Sequence, residues 1–329
     1  MKKFLLLAAV GLLTFSAANA GSITVANSDI EMSGGVTAAY FYTTNIGKNA
    51  NNDYFSVTNF DIDLAAKLNS AITFEAGIGE AILPDLLDPK PSAEGFEVEY
   101  AYVNIAPVDN LTISAGKLLT NVGYELYDTF NNPNYHYGLV WWGQPVTYPG
   151  ARLTYTVMEG MDVYAEYTQD GTDSFAVGSL GSFNGIDYAI SYFDYAASKN
   201  LVDLVLSTEI AGIQVALNAD YQWLDDSAKE DGKDDSAWGA ALYVIPNITD
   251  TVSVPVRIEY ISEGSSEIYG VAGDNAWSFT ITPTWKPTKN TYLRAEIAYV
   301  NTDEKGFIDD DGFKKDNRVS AGIEAGCLF

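Results

Sequence analysis

The chain has 329 residues, with 44 Asp or Glu against 18 Lys or Arg, for a formal charge of -26. Such an acidic balance excludes nucleic acid as a partner, because phosphate binding depends on Lys and Arg replacing counterions. A lone cysteine, Cys327, excludes an intramolecular disulfide, and 22 Tyr, 28 Gly and 19% charged residues suit an all-β chain, secreted or membrane-spanning.

At the start, Lys2 and Lys3 precede an apolar stretch from Phe4 to Phe15 and then Ser16-Ala17-Ala18-Asn19-Ala20, the small-x-small pattern of a signal-peptidase site. Residues 1–20 are expected to be a cleaved signal peptide, followed by a single domain over 21–329 whose charge is -28 once the two lysines leave. The stretch falls short of the ~20 residues a spanning helix needs, and no longer apolar run follows. No cysteine follows the cleavage site, so a lipoprotein anchor is not expected.

Alternating runs then begin. The first covers Met32 to Tyr42 and the second Phe55 to Leu68, separated by the long polar TTNIGKNANND. In the second, Phe60, Ile62, Leu64, Ala66 and Leu68 share one face, opposite Asp61, Asp63 and Lys67. A short Asn69-Ser70-Ala71 leads to the run holding Ile72, Phe74, Ala76 and Ile78; the long AILPDLLDPKPSAEG leads to Phe96–Ile105; and the short APVDN leads to Leu111–Lys117. The longest connection, Leu118 to Tyr148, comes next. Beyond it lie Ala151–Val157, Met161–Thr168, a weak Gly-rich run Phe175–Leu180 after a connection at Gln169–Ser174, Ile186–Tyr195 and Leu201–Thr208. Ile213–Trp223 is followed by the acidic loop LDDSAKEDGKDDS, then Ala237–Ile245, the short PNITD, Val252–Ile261 and the loop EGSSEIYGVAGDN. Ala276–Trp285, the turn KPTKN, Tyr292–Asn301, the loop TDEKGFIDDDGFKKDN and a closing strand complete the chain.

The count is sixteen runs of about 9 to 14 residues, near or above the ~9 to 11 that a tilted strand needs to cross a bilayer. An even count with short turns on one side and long loops on the other is the pattern of a transmembrane barrel with both termini in the periplasm. The fold expected is all-β: a transmembrane antiparallel up-and-down β-barrel of sixteen strands with a long, inward-folded third extracellular loop. Barrels of that size leave an aqueous channel. A soluble sandwich has no reason to sort its loops this way.

In the closing strand Val319, Ala321, Ile323, Ala325, Cys327 and Phe329 occupy one face, and Arg318, Ser320, Gly322, Glu324 and Gly326 the other. A chain ending this way resembles bacterial outer-membrane barrel proteins, whose last strand commonly finishes on an aromatic residue. The resemblance implies that Phe329 serves as an assembly signal read by the barrel-assembly machinery, its strand pairing with the first near Gly34 to Tyr42. Residues 118–154 carry a second resemblance. Gly123-Tyr124-Glu125, Asn131-Asn132-Pro133-Asn134-Tyr135, Gln144-Pro145 and Gly150-Ala151-Arg152-Leu153-Thr154 are similar to the signature region of the OmpL-like β-barrel porin family. The family usually shows Thr-His-x-Gly where this chain has Thr147-Tyr148-Pro149-Gly150, and the Trp141-Trp142 pair is this chain's own.

The loop has no Lys or Arg, few ionisable groups (Glu125, Asp128 and His136) and many aromatics, among them Tyr124, Tyr135, Trp141 and Trp142. So apolar a segment should fold against the barrel wall rather than stand in water. Tyr124, Glu125, Asp128, Tyr135, His136, Trp141 and Trp142 are therefore the candidates for a pore constriction. The aromatics read either as packing and interface residues or as a surface that stacks on a sugar-like solute.

Strand parity places Asp61, Asp63, Glu75, Glu97, Glu99, Asp162, Glu166, Asp187, Asp220, Glu259, Glu296 and Glu324 on the lumen face, against fewer bases: Lys67, Arg152, Arg257, Arg294 and Arg318. Carboxylate rings favour cations, although residues such as Arg257 with Glu259 and Arg294 with Glu296 also read as charges that neutralise each other or pair across strands to hold the wall. The acidic loops around Asp225–Asp235 and Asp303–Asp316 lack EF-hand spacing and read as solvated carboxylates, bridged at most by divalent ions to lipopolysaccharide. The sole histidine has no nucleophile set beside it by any motif, so no enzyme, catalytic residue, cofactor or resident metal is expected. The function expected is an outer-membrane porin for ions and small hydrophilic solutes, mildly cation-preferring, embedded in outer-membrane lipid and lipopolysaccharide. A homotrimer would follow the habit of porins of this size. A substrate-selective channel using loop 118–148 and a plugged structural barrel are the alternatives.

Overall fold

A computed structural model describes residues 21–25, 28–83, 85–87, 92–93, 95–170 and 172–329. The signal-peptide reading of residues 1–20 lies outside them.

Alternating side chains make strands wherever one face is apolar and the other polar, and sixteen of them close a ring. In chain order β1 is Ser28–Thr43, β2 Asp53–Lys67, β3 Ile72–Leu83, β4 Glu97–Val108, β5 Leu111–Leu119, β6 Thr147–Met158, β7 Met161–Asp170 and β8 Thr172–Phe183. There follow β9 Ile186–Asp194, β10 Lys199–Ile210, β11 Ile213–Leu224 and β12 Ser236–Thr249. The last four are β13 (Val252–Ser253 and Val256–Ser262), β14 (Asn275–Ile281 and Thr284–Thr288), β15 (Thr291–Thr302) and β16 (Asn317–Leu328). β13 and β14 are each interrupted beside a proline, Pro255 and Pro283, which has no N–H for the ladder. Each strand pairs antiparallel with the next, and β16 pairs with β1 from Gly35↔Leu328 to Thr43↔Ser320. The Phe329 N–H donates to the Gly34 carbonyl and the Gly34 N–H to the Phe329 carbonyl, both at 3.0 Å, which seals the seam.

The faces are sorted inversely to those of a soluble protein. Val36, Phe55, Ile190, Ile258, Ile297 and Ile323 are exposed around the ring, whereas Asp61, Asp203, Arg257, Glu296 and Glu324 are buried. An apolar exterior suits lipid and a polar interior suits water.

Among the register shifts of the described sheet, two bulges reset the parity beside the third loop. Thr37 pairs with Asn59 and Ala38 with Val57, so Thr58 is the extra residue of β2. Gly77 pairs with Tyr100 and Ile78 with Val98, which makes Glu99 the extra residue of β4. An unpaired residue re-aims the side chains around it, and Thr58, Asn59 and Glu99 are all buried.

The expected connection at Gln169–Ser174 is instead strand. β7 runs to Asp170 and β8 starts at Thr172, with Thr172 opposite Asp170. The Asp173 carboxylate accepts from the Tyr167 hydroxyl at 2.7 Å and the Gln169 amide at 3.0 Å, bonds that hold this extension together. The weak run Phe175–Leu180 is accordingly a full strand of 12 residues. Turns at the opposite end are tight: Asn184 and Gly185 both take positive φ (52° and 79°), the geometry of a two-residue hairpin turn.

Candidate functional site

The segment between β5 and β6 is organised by its own short-range bonds before it meets the wall. Asn132 accepts from the Leu126 N–H and donates to the Leu126 carbonyl, both at 2.7 Å, closing a loop within the loop. Glu125 accepts from the Gly138 N–H at 2.7 Å, and the Tyr137 hydroxyl donates to the Tyr127 carbonyl. Tyr137 stacks on Trp141 with ring centroids 3.9 Å apart, and Trp142 stands edge-on to Trp141 at 4.8 Å. Single turns of 3-10 helix form at Thr129–Asn131 and Trp141–Gly143.

Its partners lie on strands right round the ring. Arg257 of β13 donates to Glu125, to the His136 carbonyl at 2.7 Å and to the Tyr137 carbonyl at 3.3 Å. Arg294 of β15 donates to the carbonyls of Asn132 (2.9 Å) and Thr129 (3.0 Å) while its Nε holds Glu324 at 2.5 Å. Arg152 of β6 bonds Glu166 and the Leu119 carbonyl, each at 2.6 Å. Arg318 of β16 donates to the carbonyls of Leu86 (3.1 Å), Leu87 (2.5 Å) and Asn45 (3.3 Å), in the first two long loops. These are the only four arginines in the sequence, and each clasps backbone carbonyls. A planar guanidinium with several N–H donors suits that task better than an ammonium.

Acidic residues hold the loop's N–H groups in turn. Glu296 accepts from Tyr135 N (2.8 Å) and His136 N (3.1 Å), Glu259 from Val140 N (3.2 Å), and Asp203 from Gly123 N (3.1 Å). The Gln144 amide donates to Asp220 and Asn218, both at 3.0 Å.

His136 lies in a buried chain: its Nδ1 is 2.7 Å from Glu296 Oε1 and its Nε2 is 3.0 Å from Ser320 Oγ. That is the order of a Ser-His-acid triad, and no sequence motif revealed it. The Ser320, His136 and Glu296 residues are 2%, 4% and 1% exposed, so no substrate carbonyl reaches the hydroxyl. Glu296 is occupied with the loop backbone, and the chain acts as a clasp.

Of the predicted constriction residues, Tyr124, Glu125, Asp128, Tyr135, His136 and Trp141 are buried and Trp142 is half-buried. Of the predicted wall charges, Arg257, Glu259, Arg294, Glu296, Glu166, Asp162, Asp220, Asp61 and Glu99 are buried. Glu75 and Asp63 are half-buried and accept from Tyr102 (2.7 Å) and Tyr100 (2.5 Å). Glu97 sits at the end of β4, exposed and 3.5 Å from Lys117. Asp203, Asn218 and Ser320 were not among the candidates; Asp203 alone leaves a signal, a single acid within the apolar run LVDLVL.

Above the loop, Trp142, Tyr269, Phe307, Ile308, Asp85 and Arg318 line a cavity of about 570 Å³ among the long connections. The outer acidic loops are internally tied. Asp234 accepts from the Ser265 N–H and hydroxyl, both at 3.0 Å, which holds its carboxyl below the usual range. Lys229 bridges Asp226 and Asp235, and Lys315 meets Asp309 at 3.2 Å.

The sequence model of the family described as "Putative beta-barrel porin-2, OmpL-like" matches residues 29–329. No curated protein matches the chain significantly. Among solved structures, the outer membrane channel DcaP of Acinetobacter baumannii is 13% identical with a TM-score of 0.67, over 94% of this chain and 100% of that one. Outer-membrane expressed OmpT of Vibrio cholerae gives 10% and 0.67 over the same shares. A trimer form of in-vitro folded OmpT gives 11% and 0.64 over 92% of this chain and 99% of that one. At these identities the likeness is one of fold.

Proposed function

The chain belongs to the OmpL-like β-barrel porin-2 family, and from that premise we propose that it forms a water-filled channel for ions and small hydrophilic solutes across the bacterial outer membrane, with a mild preference for cations. The third loop is the constriction in this reading. One observation carries it: all four arginines are committed to backbone carbonyls, while half-buried Glu75 is bonded to neutral donors, the Tyr102 hydroxyl and the Asn104 amide. Positive charge is thereby spent on architecture, and the negative charge left on the wall attracts cations. The test is conductance and reversal potential of the purified protein in planar bilayers under a salt gradient.

A substrate-selective channel is favoured by a second observation, the half-buried Trp142 facing the outer cavity. An indole there stacks on the flat face of a sugar. Trp141 is taken up by Tyr137 and is no platform. Residues 1–20 serve in this reading as the export signal, Phe329 as the residue recognised in assembly, lipopolysaccharide as the neighbour of the acidic loops, and three copies as the working unit.

A further inference from the structure

The arginine clasps hold the third loop against β13 and β15, but the side facing β2 and β4 has none. There the loop presents an acid, Asp128, to an acidic wall. Asp61, Asp63 and Asp128 each offer a carboxylate oxygen within 4.8 Å of the other two.

An independent feature points to a ligand at that place. Glu99, the extra residue of the β4 bulge, is 1% exposed and neither of its oxygens has a hydrogen-bond partner. It is aimed at Asp61: a Cβ on Gly79 would stand 2.8 Å from Asp61 Oδ1 and 2.9 Å from Glu99 Oε1, so only a glycine lets the two carboxyls meet. Asp61 is fully buried, with both oxygens likewise unpartnered, as is Asp128 Oδ1. The charged groups that act on Asp61 are Asp128, Asp63 and Glu99, all acidic. Tyr100 donates to Asp63, and the Lys117 ammonium that acts on Glu99 is paired with Glu97. Four carboxylates gathered so closely and so far from water are strongly unfavourable unless a cation or shared protons neutralise them.

The donor set selects among cations. Four carboxylates suit Ca²⁺, which takes about six to eight oxygen ligands and accepts bidentate carboxylates, better than Mg²⁺, which keeps several waters and is usually held by one or two carboxylates. We propose that Asp61, Asp63, Glu99 and Asp128 form a calcium site that staples the third loop to β2 and β4, completing on the acidic side what the arginines do elsewhere. Half-buried Asp63 gives the ion its entry. The site does not depend on which solutes pass.

The experiment uses the full folded chain in detergent, stripped with EGTA and titrated with CaCl₂ by calorimetry, beside unfolding temperatures with and without calcium. The expected result is saturable binding of a single Ca²⁺, weaker binding of Mg²⁺ and a higher unfolding temperature in calcium. Asp61→Asn with Glu99→Gln should lose both the binding and the shift. Because that variant relieves charge repulsion, it should still fold in EGTA. Loop variant Asp309→Asn with Asp311→Asn should keep them. No saturable binding to the parent, meaning that the carboxyls share protons instead, would overturn the proposal. So would binding that survives the first variant or vanishes in the second.

Discussion

The Arg257 guanidinium reaches from β13 to Glu125 in the third loop and closes that contact with the His136 carbonyl at 2.7 Å. Arg257 is wholly buried and Glu125 nearly so, and Glu259 lies 3.1 Å from the same guanidinium. Charges this far from bulk water are tolerable only as a set. Arg257→Met leaves two buried carboxylates unbalanced and should cost about 3–5 kcal/mol, the usual effect of removing one member of a buried pair. Urea unfolding in lipid should show the loss, and single-channel records should show larger, noisier openings as the loop comes free. Unchanged records would mean that the loop does not set the conductance.

Ser320 has the neighbours of a nucleophile without the access of one. A fluorophosphonate probe should leave it unmodified in the folded protein, and Ser320→Ala should alter stability only modestly, by about 0.5–1.5 kcal/mol for one hydrogen bond. Stoichiometric labelling at Ser320 would reopen the case for catalysis.

Trp141 and Trp142 should respond differently to truncation. Trp141→Ala removes a buried, stacked ring and should destabilise the loop by about 3–5 kcal/mol. Trp142→Ala should leave stability near that of the parent and weaken any block of current by added sugars. If sugars fail to block either protein, the selective-channel reading is lost.

The seam bonds at Gly34 and Phe329 are made by backbone alone. Phe329→Ala keeps them, whereas deletion of Phe329 removes both. If the ring is an assembly signal, both changes should lower the amount of folded barrel in the outer membrane to a similar extent, while refolding into detergent should suffer only from the deletion. Normal membrane levels of Phe329→Ala would remove the signal role.

The number of strands and the closing pair were legible because an apolar exterior imposes a period of two on every strand. That same rule put Asp61, Asp63 and Glu99 on the lumen face without bringing them to Asp128 of the loop. A bulge adds one residue and shifts the parity beyond it, so Tyr100 and Tyr102, on the apolar face by simple alternation, hydrogen-bond Asp63 and Glu75. The arginines were visible as charges, and the sequence left open whether Arg294 neutralises its neighbour Glu296 or pairs across strands. In the structure Arg294 takes Glu324 on the adjacent strand and Glu296 takes His136. Partners on different strands are set by register and loop path, which local spacing does not encode. The tight join of β7 to β8 was missed for a related reason: Gln169–Ser174 has turn-forming residues, and the bonds that make it strand come from Tyr167 and Gln169 to Asp173.

Whether the barrel is an open, cation-preferring pore is decided by its conductance in a planar bilayer under a salt gradient. Steady, ohmic openings are expected, with a reversal potential of the sign of cation preference that is reduced in Glu75→Gln. A membrane that stays electrically silent with folded protein inserted, or a reversal potential of the anionic sign, would contradict that reading.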